Sequence, residues 1–586
     1  MRRLAIAVVS LALCLNQIVV TGQVAPAGHR VEIRQARTMK PLKVGGAMVM
    51  RLIDSVILEH EGTLLYCDSA YVYQENNSFD AYGKVRIEGE GNLIEGSALY
   101  YMGATREGRM VGQPVLMLDK ESGTRLWTDF LFFNTEANSA YFVSGGRVES
   151  PDYRVQSQRG FYASSPARIT FAGQVVIRGK DVDLLGDSVE MYRSSGELHF
   201  FRATRLYQDS AFLYGDKGVY YRDAHRLSVH SNVLFRKDGN TLYSDSLDYD
   251  QQLGYGLALG RAVVVDSSDD ARLYGRRLEI WQREGRALAT SDPLMYSVDT
   301  ASVPADTVYM RADTLYAWRD TVHVADGKSR AWVVDSVWCG RALYDVRAYS
   351  NGQQVVADSV LYDGKRRRVT LYRAPAPYVW MRDMQAYAKS VVFFLGEERA
   401  DSVWLEGDAF VAQRDGVETY NQINGQRMYA RLDSSGVRFV RVREEGQVLF
   451  FMRDKGSLIG VNRVAAPGFN VWMRDSEIQN VTFYSKPTSR VLPYKDVEME
   501  DRILPNFAWN EALRPKLKED VVPRWVQNLT FYVRRRERVA LFEALDRAIL
   551  ELPWEAGVSR VQPWPAMPEG AEAERGTQGE GLDSVQ

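Results

Sequence analysis

The sequence is poor in the residues that cross-link a fold, hold metals or carry out acid–base catalysis. It has 3 cysteines and 6 histidines among 586 residues. Cys14 lies in an apolar N-terminal run, and Cys67 and Cys339 alone cannot make a disulfide framework or a metal site. No H-E-x-x-H pair, G-x-S-x-G elbow or G-x-x-x-x-G-K loop occurs. We therefore predict that the protein is not an enzyme and needs neither a metal nor a cofactor.

The sequence also lacks an excess of charge of either sign. Its 73 Lys and Arg residues nearly balance its 75 Asp and Glu residues, for a net charge of −2. A protein that grips nucleic acid needs a basic surface to neutralise phosphates. We therefore predict no nucleic-acid partner.

Long apolar runs are absent except at the N-terminus. Arg2 and Arg3 precede a run of apolar residues at 4–15, and a basic head followed by a short apolar core is typical of a secretory signal peptide. We assign residues 1–27 to this signal, with an uncleaved anchor as the alternative. No later stretch is apolar enough for a membrane-spanning helix. The mature protein is thus predicted to be soluble and to lie beyond the inner membrane.

What the sequence does contain is a repeat. One sequence motif, here called a phrase, consists of an apolar or aromatic pair, a small or acidic residue and another apolar pair. Its central small or acidic position falls at residues 68, 96, 129, 158, 187, 216, 245, 276 and 313. Four successive spacings in this series are 29 residues. A second phrase alternates with the first and is centred on residues 83, 112, 146, 173, 203, 231 and 260. Two interleaved series with a common period identify a repeat protein.

Within each phrase the apolar residues alternate with polar ones, which predicts strands rather than helices. In residues 79–87, Phe79, Ala81, Val85 and Ile87 share one face and their neighbours the other. Turn-forming residues separate the phrases, so each repeat of about thirty residues holds two strands. Since two strands cannot bury their own apolar face, the repeats must stack. We predict an all-β, elongated, stacked β-jellyroll with a V-shaped section, a smaller C-terminal β-rich region and one short helix.

Two recurrent residue types are assigned structural roles. Glycines at 83, 112, 146, 173 and 260 fall in mid-strand, where a glycine column would let the strands bend at one level. The recurrent aspartates do not suggest catalysis, because an active site needs one group of catalytic residues, whereas this aspartate recurs seven times. We expect them to accept backbone N–H groups at the bends. They are Asp68, Asp129, Asp187, Asp216, Asp245, Asp313 and Asp358.

The paired phrases resemble the OstA/LptA-like family, whose members are periplasmic proteins of lipopolysaccharide transport. Residues 79–87 followed by residues 93–101 show the resemblance, which is clearest over residues 45–320 and weaker to about residue 400. It looks like the long multi-repeat versions found in Bacteroidota-type envelopes. The resemblance implies a stacked β-jellyroll with a groove that holds the acyl chains of lipopolysaccharide or a related lipid and hands them toward the outer membrane.

Candidate groove residues are the apolar members of the repeat faces. An equally open interpretation is that the same side chains form a dry packed core, because core and groove use the same residue types. The candidates are Ala81, Val85, Ile87, Phe171, Val175, Ile177, Val229, Val233 and Phe235.

The resemblance also implies partners and a location. We expect a periplasmic protein, either free or associated with the outer membrane. Its edge strands would meet the outer-membrane lipopolysaccharide translocon and the inner-membrane export components, or a second copy of the chain end to end.

After residue 320 the repeat becomes less regular, but segments with strand-like alternation continue. A helix is predicted between residues 536 and 552, where Val539, Phe542, Leu545, Ile549 and Leu552 follow a 3.6-residue period and Pro553 ends it. The predicted organisation is a signal peptide (1–27), an OstA/LptA-like repeat domain (28–320), a degenerate continuation (321–415), a C-terminal β-rich region (416–530), a helical segment (531–564) and a disordered tail (565–586).

Two other functions stay open at this point. A β-helical carbohydrate-active enzyme could use exposed Tyr and Trp with a distant carboxylate pair. A structural or adhesive surface stack is the third class.

Overall fold

The computed structural model describes residues 30–553 apart from 45, 61, 90, 181, 193, 238, 267–270, 300–305, 326–331, 397–399, 434–435, 475–476, 528–539, 541 and 544. The predicted signal peptide and C-terminal tail lie outside the described residues. The chain forms two compact units. The first contains the described residues of the ranges 1–238, 246–251 and 530–586, and the second those of the ranges 239–245 and 252–529.

The fold is all-β and antiparallel, as predicted from the alternating phrases. The first eighteen strands are β1 (Glu32–Gln35), β2 (Thr38–Val44), β3 (Ala47–His60), β4 (Thr63–Tyr73), β5 (Ser78–Glu88), β6 (Asn92–Met102), β7 (Glu107–Asp119), β8 (Arg125–Asn134), β9 (Ser139–Phe142), β10 (Gly146–Glu149), β11 (Tyr153–Ser157), β12 (Arg159–Ser164), β13 (Ala167–Gly179), β14 (Asp183–Tyr192), β15 (Glu197–Gln208), β16 (Ala211–Tyr221), β17 (Arg226–Lys237) and β18 (Asn240–Asp250).

The remaining strands are β19 (Tyr255–Asp266), β20 (Ala271–Trp281), β21 (Arg286–Thr290), β22 (Leu294–Asp299), β23 (Asp306–Arg311), β24 (Thr314–Ala325), β25 (Trp332–Tyr349), β26 (Gln353–Asp363), β27 (Arg368–Tyr372), β28 (Tyr378–Met381), β29 (Met384–Tyr387), β30 (Ser390–Leu395), β31 (Ala400–Arg414), β32 (Tyr420–Asp433), β33 (Gly436–Asp454), β34 (Ser457–Arg474), β35 (Glu477–Tyr484) and β36 (Thr488–Pro493).

Successive strands pair with each other, so each repeat is a hairpin stacked on the next. In the first unit β13 to β17 form a continuous series of antiparallel pairs. In the second unit β31 to β35 do the same. The two interleaved phrases of the sequence therefore occupy alternate strands of the stack.

Many strands bend at a corner, which is a pair of consecutive residues in the left-handed region, placed where the pairing register shifts. Such a shift is a β-bulge, and it turns the strand sharply. We call the segments on either side of a corner its arms. Corners include Asp54–Ser55 in β3, Gly83–Lys84 in β5, Gly173–Gln174 in β13, Arg202–Ala203 in β15, Ser231–Asn232 in β17, Tyr344–Asp345 in β25, Gly407–Asp408 in β31 and Glu444–Glu445 in β33.

The prediction that a glycine column makes these bends is only partly right. Gly83, Gly173 and Gly260 have positive φ angles, but Gly112 and Gly146 do not. Gly407 is a further corner glycine, but the five other corners named above are built from Asp, Ser, Arg, Ala, Asn, Tyr or Glu. The bulge in the pairing sets the bend, and residues other than glycine tolerate the left-handed region one or two at a time.

The recurrent aspartates lie at the same level as the corners. Asp245 accepts the backbone N–H of Arg261 at 3.0 Å, and Asp358 accepts that of Ala374 at 3.1 Å. The predicted backbone role is thus confirmed for these two residues. Asp187 and Asp216 instead contact side chains of the neighbouring corner, those of Arg202 and Asn232. Their role is structural in both cases.

Two helices and three 3₁₀ turns follow the strands within the residues that the structure describes. The turns are Tyr494–Asp496, Met499–Arg502 and Lys518–Asp520, and helix α1 is Arg524–Gln527. Helix α2 comprises the described helical residues between 540 and 551. It confirms the helix predicted from the 3.6-residue period, and its Phe542 and Ile549 are buried. Val539 lies outside the described residues.

Candidate functional site

The predicted groove residues all lie on one face of the bent strands in the first unit. Cross-strand pairing connects Ile177 with Leu184, and Phe235 with Leu213, which continues the row. Seven of the nine candidates are buried, and Ile87 and Phe235 are partly buried. We call this face the inner face. The structure therefore brings the candidates together as one apolar surface, while their contact with lipid stays a prediction.

In the second unit the inner face encloses a cavity. It contains about 1000 Å³ of space outside atoms, part of it open to solvent. Strands β28 to β35 supply its walls. Described residues that line it are Val379, Met381, Met384, Ala386, Val391, Phe393, Val403, Leu405, Val411, Gln413, Asn421, Gln422, Ile423, Met428, Ala430, Leu432, Val437, Val440, Val448, Leu449, Phe450, Met473 and Ile478.

Both arms of the bent strands contribute walls to this cavity. One wall is a cross-strand row that runs from Ala386 through Val411 to Ile423. A row from Leu405 to Met428 lies on the other side of the β31 corner. Because side chains alternate across a strand, each arm presents every second residue to the interior. The cavity is therefore the space between two apolar arm faces.

The cavity contains amides but no charge. Among the described residues that line it, none is ionisable. Gln413 donates to Asp383 at 3.1 Å, and Asn421 accepts the backbone N–H of Phe451 at 3.0 Å. Four methionines also line it, and their flexible side chains adapt to irregular apolar shapes. Such an interior suits an apolar chain and offers nothing to hold a charged group.

The opposite face of one arm in the second unit is covered by the segment that follows β36. Val497 and Leu504 of this segment are buried against a core that includes Trp380, Phe410 and Phe451. This burial fixes the segment over the outer side of the arm, so that the inner side remains for the cavity.

Polar contacts add to this cover. Tyr387 donates its hydroxyl hydrogen to the carbonyl of Asn506 at 2.7 Å and accepts the N–H of Ala508 at 2.9 Å. The Gln385 side chain donates to the carbonyl of Ala508 at 2.7 Å and accepts the N–H of Asn510 at 2.8 Å. Burial raises the pKa of Tyr387. These bonds satisfy backbone groups of a segment that has no sheet partner of its own.

In the first unit helix α2 covers the outer side of an arm. Asp546 accepts two hydrogen bonds from the Arg205 guanidinium, at 2.9 and 2.6 Å, and one from the Tyr207 hydroxyl at 2.6 Å. The Arg205 and Asp546 side chains are 3% and 0% exposed, and Arg205 also lies over the Phe542 ring. Burial and the Asp546 carboxylate raise the pKa of Tyr207. This is a buried, fully bonded ion pair inside an apolar contact.

The sequence did not reveal the cavity or the two covers. The strongest available signal for the helix anchor is Asp546 itself, a charge on the apolar stripe between Phe542 and Ile549. A charged residue at such a position needs a buried partner. For the cavity, the alternating apolar residues of β31 and β32 predict an inner face. They carry no information on how far apart the two arms lie.

In the part of the chain that the structure describes, no group of three or more His, Cys, Asp or Glu residues could hold a metal ion. Within the same residues, no helix has the length and apolar character to cross a membrane.

The fold and the site define an all-β repeat protein with bent, stacked strands and an apolar interior. Residues 28–187 and 164–274 match the family described as OstA-like protein. Over residues 28–274 the chain is thus similar to the OstA-like family.

A solved structure is also similar to part of the chain. It is LptH, the LptA homologous periplasmic component of the lipopolysaccharide transport device from Pseudomonas aeruginosa. The match has 14% identity and a TM-score of 0.18, and it covers 24% of this chain and 93% of that chain. Nothing further about this chain follows from a likeness of that degree. The search of curated proteins gives no match.

Proposed function

We propose that the protein is a periplasmic carrier that holds the acyl chains of lipopolysaccharide or a related glycolipid in its interior and passes them toward the outer membrane. The observation that carries this proposal is the cavity of the second unit, which two apolar arm faces enclose without an ionisable residue among those described. The OstA-like match of residues 28–274 supports the same function.

The energetics of such a site are favourable. Burying one methylene group contributes about 0.8 kcal/mol, so ten buried methylenes contribute roughly 8 kcal/mol before the entropy of binding is subtracted. Because successive repeats present similar apolar rows, neighbouring binding positions have similar affinity for the lipid. A lipid can then move along the stack without being held tightly at any one position.

The inner face of the first unit belongs to the same proposal. The nine candidates named from the sequence would contact lipid when the arms separate, since most of them are buried among other side chains. Seven of them are more tightly buried than Phe393 and Ile423, which are partly buried and line the cavity.

Partners and location follow from the carrier function. Strands β35 and β36 pair only with β34 among the described pairings, and β1 and β2 pair only with β3. Strands with a free side can add a strand from another protein. We propose that inner-membrane export components, the outer-membrane translocon or a second copy of the chain bind there.

Two adjacent phenylalanines provide a matched test. Phe393 lines the cavity, whereas Phe394 lies on the other face of β30, with its ring 5.9 Å from that of Trp404. A photoreactive residue would replace one or the other in cells, and adducts with lipopolysaccharide would be detected after irradiation. In the first unit, Phe171 and the exposed corner residue Arg202 form a second pair.

The proposal expects lipid adducts at position 393 and none at position 394. Adducts at both positions in equal yield would indicate non-specific contact. If both variants are exported and folded but neither captures lipid, the carrier function is wrong, and a carbohydrate enzyme or a structural stack becomes the better explanation.

A further inference from the structure

Helix α2 crosses the outer side of an arm in the first unit in one direction. Glu543, near its start, pairs with Arg236 of β17. Near its end, the carbonyl groups of Ile549 and Leu552 accept hydrogen bonds from Arg178 of β13, each at 3.0 Å. The helix therefore runs from β17 to β13. A chain that continues in the same direction reaches β11, β10 and β8, which follow β13 in this arm.

The row of cross-strand neighbours that the helix covers continues past the end of the helix. From β16 to β8, its members are Tyr214, Arg205, Leu185, Val176, Gln156, Arg147 and Trp127. The first four contact helix α2 and are at most 5% exposed. The last three lie beyond the strand at which the helix ends. We call these three residues the β8–β11 patch.

Most of the β8–β11 patch is as buried as the part of the row under the helix. Arg147 is 2% exposed and Trp127 is 7% exposed. Alternation along the strands places both on the outer side, opposite the inner face. Farther along the same row, Leu116 and Glu95 are partly buried and Arg86 is exposed. The outer side is therefore covered at β8 and β10, and the cover ends before β5.

The chemistry of this row indicates what the cover contains. A guanidinium group that is removed from water is stabilised by a carboxylate at hydrogen-bond distance. Arg205, whose side chain is 3% exposed, obtains that carboxylate from Asp546 of helix α2. Arg147 is the second buried arginine of the same row. We therefore expect the cover over β10 to bring a carboxylate as well.

We propose that residues 554–564, which follow helix α2 in the sequence, cover the β8–β11 patch and place the carboxylate of Glu555 on Arg147. Glu555 is the first acidic residue after the helix, and two tryptophans and two valines give the segment apolar surface. The spacing agrees with this path. Strand β10 lies two strands from β13, or about 10 Å, and the three residues from Leu552 to Glu555 span up to about 10 Å. The C-terminal chain then braces this arm from β17 to β8.

Other occupants of the patch fit these positions less well. Residues 528–539 precede helix α2 and enter it at the β17 end, away from the patch. A second copy of the chain is not required, since residues 554–564 are already within reach. The inference does not depend on the carrier function, because the patch lies on the outer side of the arm and needs no lipid.

Photo-crosslinking identifies the occupant. Chain 28–586 would carry p-benzoylphenylalanine at position 156, in the patch, or at position 141 as the control, since Tyr141 of β9 is 42% exposed. After irradiation, crosslinked peptides would be identified by mass spectrometry in monomeric protein. The proposal expects peptides from residues 554–564 at position 156 and none at position 141. Crosslinks from position 156 to residues 528–539 or to a second chain, or no crosslink to residues 554–564, would overturn it.

Hydrogen exchange in β8 and β10 tests the contact between Arg147 and Glu555. Glu555→Gln should accelerate exchange there about tenfold or more, because it leaves the guanidinium buried without its carboxylate. Glu551→Gln is the matched control, since Glu551 is exposed in helix α2, and it should change exchange less than about twofold. Unchanged protection within helix α2 would show that the helix itself stays in place.

A double variant separates loss of the contact from general damage to the fold. R147M/E555L replaces both charges by apolar side chains and should restore most of the protection that Glu555→Gln removes. If Glu555→Gln behaves like Glu551→Gln, Glu555 is not the partner of Arg147 and that assignment is wrong. Neither experiment involves lipid capture at Phe393, so failure here and failure of the carrier function are distinguishable.

Discussion

The carboxylate of Asp245 occupies the space where a side chain on Gly260 would stand. A Cβ at Gly260 would lie 2.4 Å from Oδ2 of Asp245, and the same oxygen accepts the N–H of Arg261 at 3.0 Å. Asp68 stands in the same relation to Gly83, where the distance would be 2.3 Å. Both pairs are fifteen residues apart. The key residue of one phrase therefore covers the corner of the next strand.

The first prediction concerns this corner. Gly260→Ala should destabilise the second unit by about 1–3 kcal/mol, because the φ of +90° is strained for alanine and the new methyl group meets the Asp245 carboxylate. Hydrogen exchange of β19 and β20 would report the loss locally. This is preferable to a single melting curve, since a chain of two units need not unfold in one step.

A double-mutant cycle with Asp245→Ser separates the two causes. If the clash matters, Gly260→Ala should cost less in the Asp245→Ser background than in the parent chain. Equal costs in both backgrounds would mean that backbone strain alone acts. Ala203→Gly, at a corner that already accepts alanine, is the control and should change stability little.

The second prediction concerns the anchor of helix α2. Asp546→Ala should destabilise the contact between the helix and β15 by about 3–5 kcal/mol, because it leaves the Arg205 guanidinium buried without a partner. Exchange protection within helix α2 should fall. Glu543→Gln is the control, since its ion pair with Arg236 is partly exposed and is worth at most about 1 kcal/mol.

A third variant checks the cause. R205M/D546L replaces the pair by apolar side chains and should recover most of the stability that Asp546→Ala loses. If the double variant is as unstable as the single one, the helix depends on the hydrogen bond from Tyr207 more than on the charge pair.

Structural features that depend on residues close together in the sequence could be predicted, whereas features that join distant residues could not. The inner face of Phe171 and Val229 was predictable, because the two-residue period of a strand is written in adjacent residues. Helix α2 was predictable from Phe542 and Ile549, because the 3.6-residue period of a helix is likewise visible in residues close together in the sequence. The Arg205–Asp546 pair joins residues 341 positions apart, and no pattern along the chain shows such a contact.

Two further features depend on the three-dimensional arrangement of the strands, which the amino-acid composition does not specify. The corner at Arg202–Ala203 was not predictable from residue type, because only the pairing register demands a left-handed step there. The cavity depends on the separation of two arms. Apolar alternation is the same in β13, where the interior is packed, and in β31, where it is open.

The third prediction is a pH dependence at Cys67. Burial raises the pKa of this thiol from 9.0 to about 11. In chain 28–586 carrying Cys339→Ala, alkylation of folded Cys67 at pH 9 should be about fiftyfold slower than in urea, because the reactive thiolate is scarce. The rate should rise with a midpoint near the raised pKa of about 11.

The sign of the accompanying stability change follows from the raised pKa. The contribution of the protonated thiol is fully present below the unfolded pKa, and it is lost as the pH rises through about 11. Replacement of Cys67 by Ala should therefore make the alkaline loss of stability shallower. A native alkylation midpoint near 9 would contradict the burial of this thiol.

The last prediction distinguishes an open interior from a packed one by the same substitution in each unit. Ala386 lines the cavity of the second unit, whereas Ala81 is fully buried on the inner face of the first. Ala386→Phe has space to enter and should cost less than about 1 kcal/mol, while Ala81→Phe overpacks its site and should cost about 1–3 kcal/mol or more. Local hydrogen exchange in β29 and β5 measures both effects.

The added ring should also block lipid capture at position 393, because it fills the space between the arms. If Ala386→Phe is instead as damaging as Ala81→Phe, the second unit has no room for a lipid chain without opening. Lipid binding would then require the two arms to separate in both units.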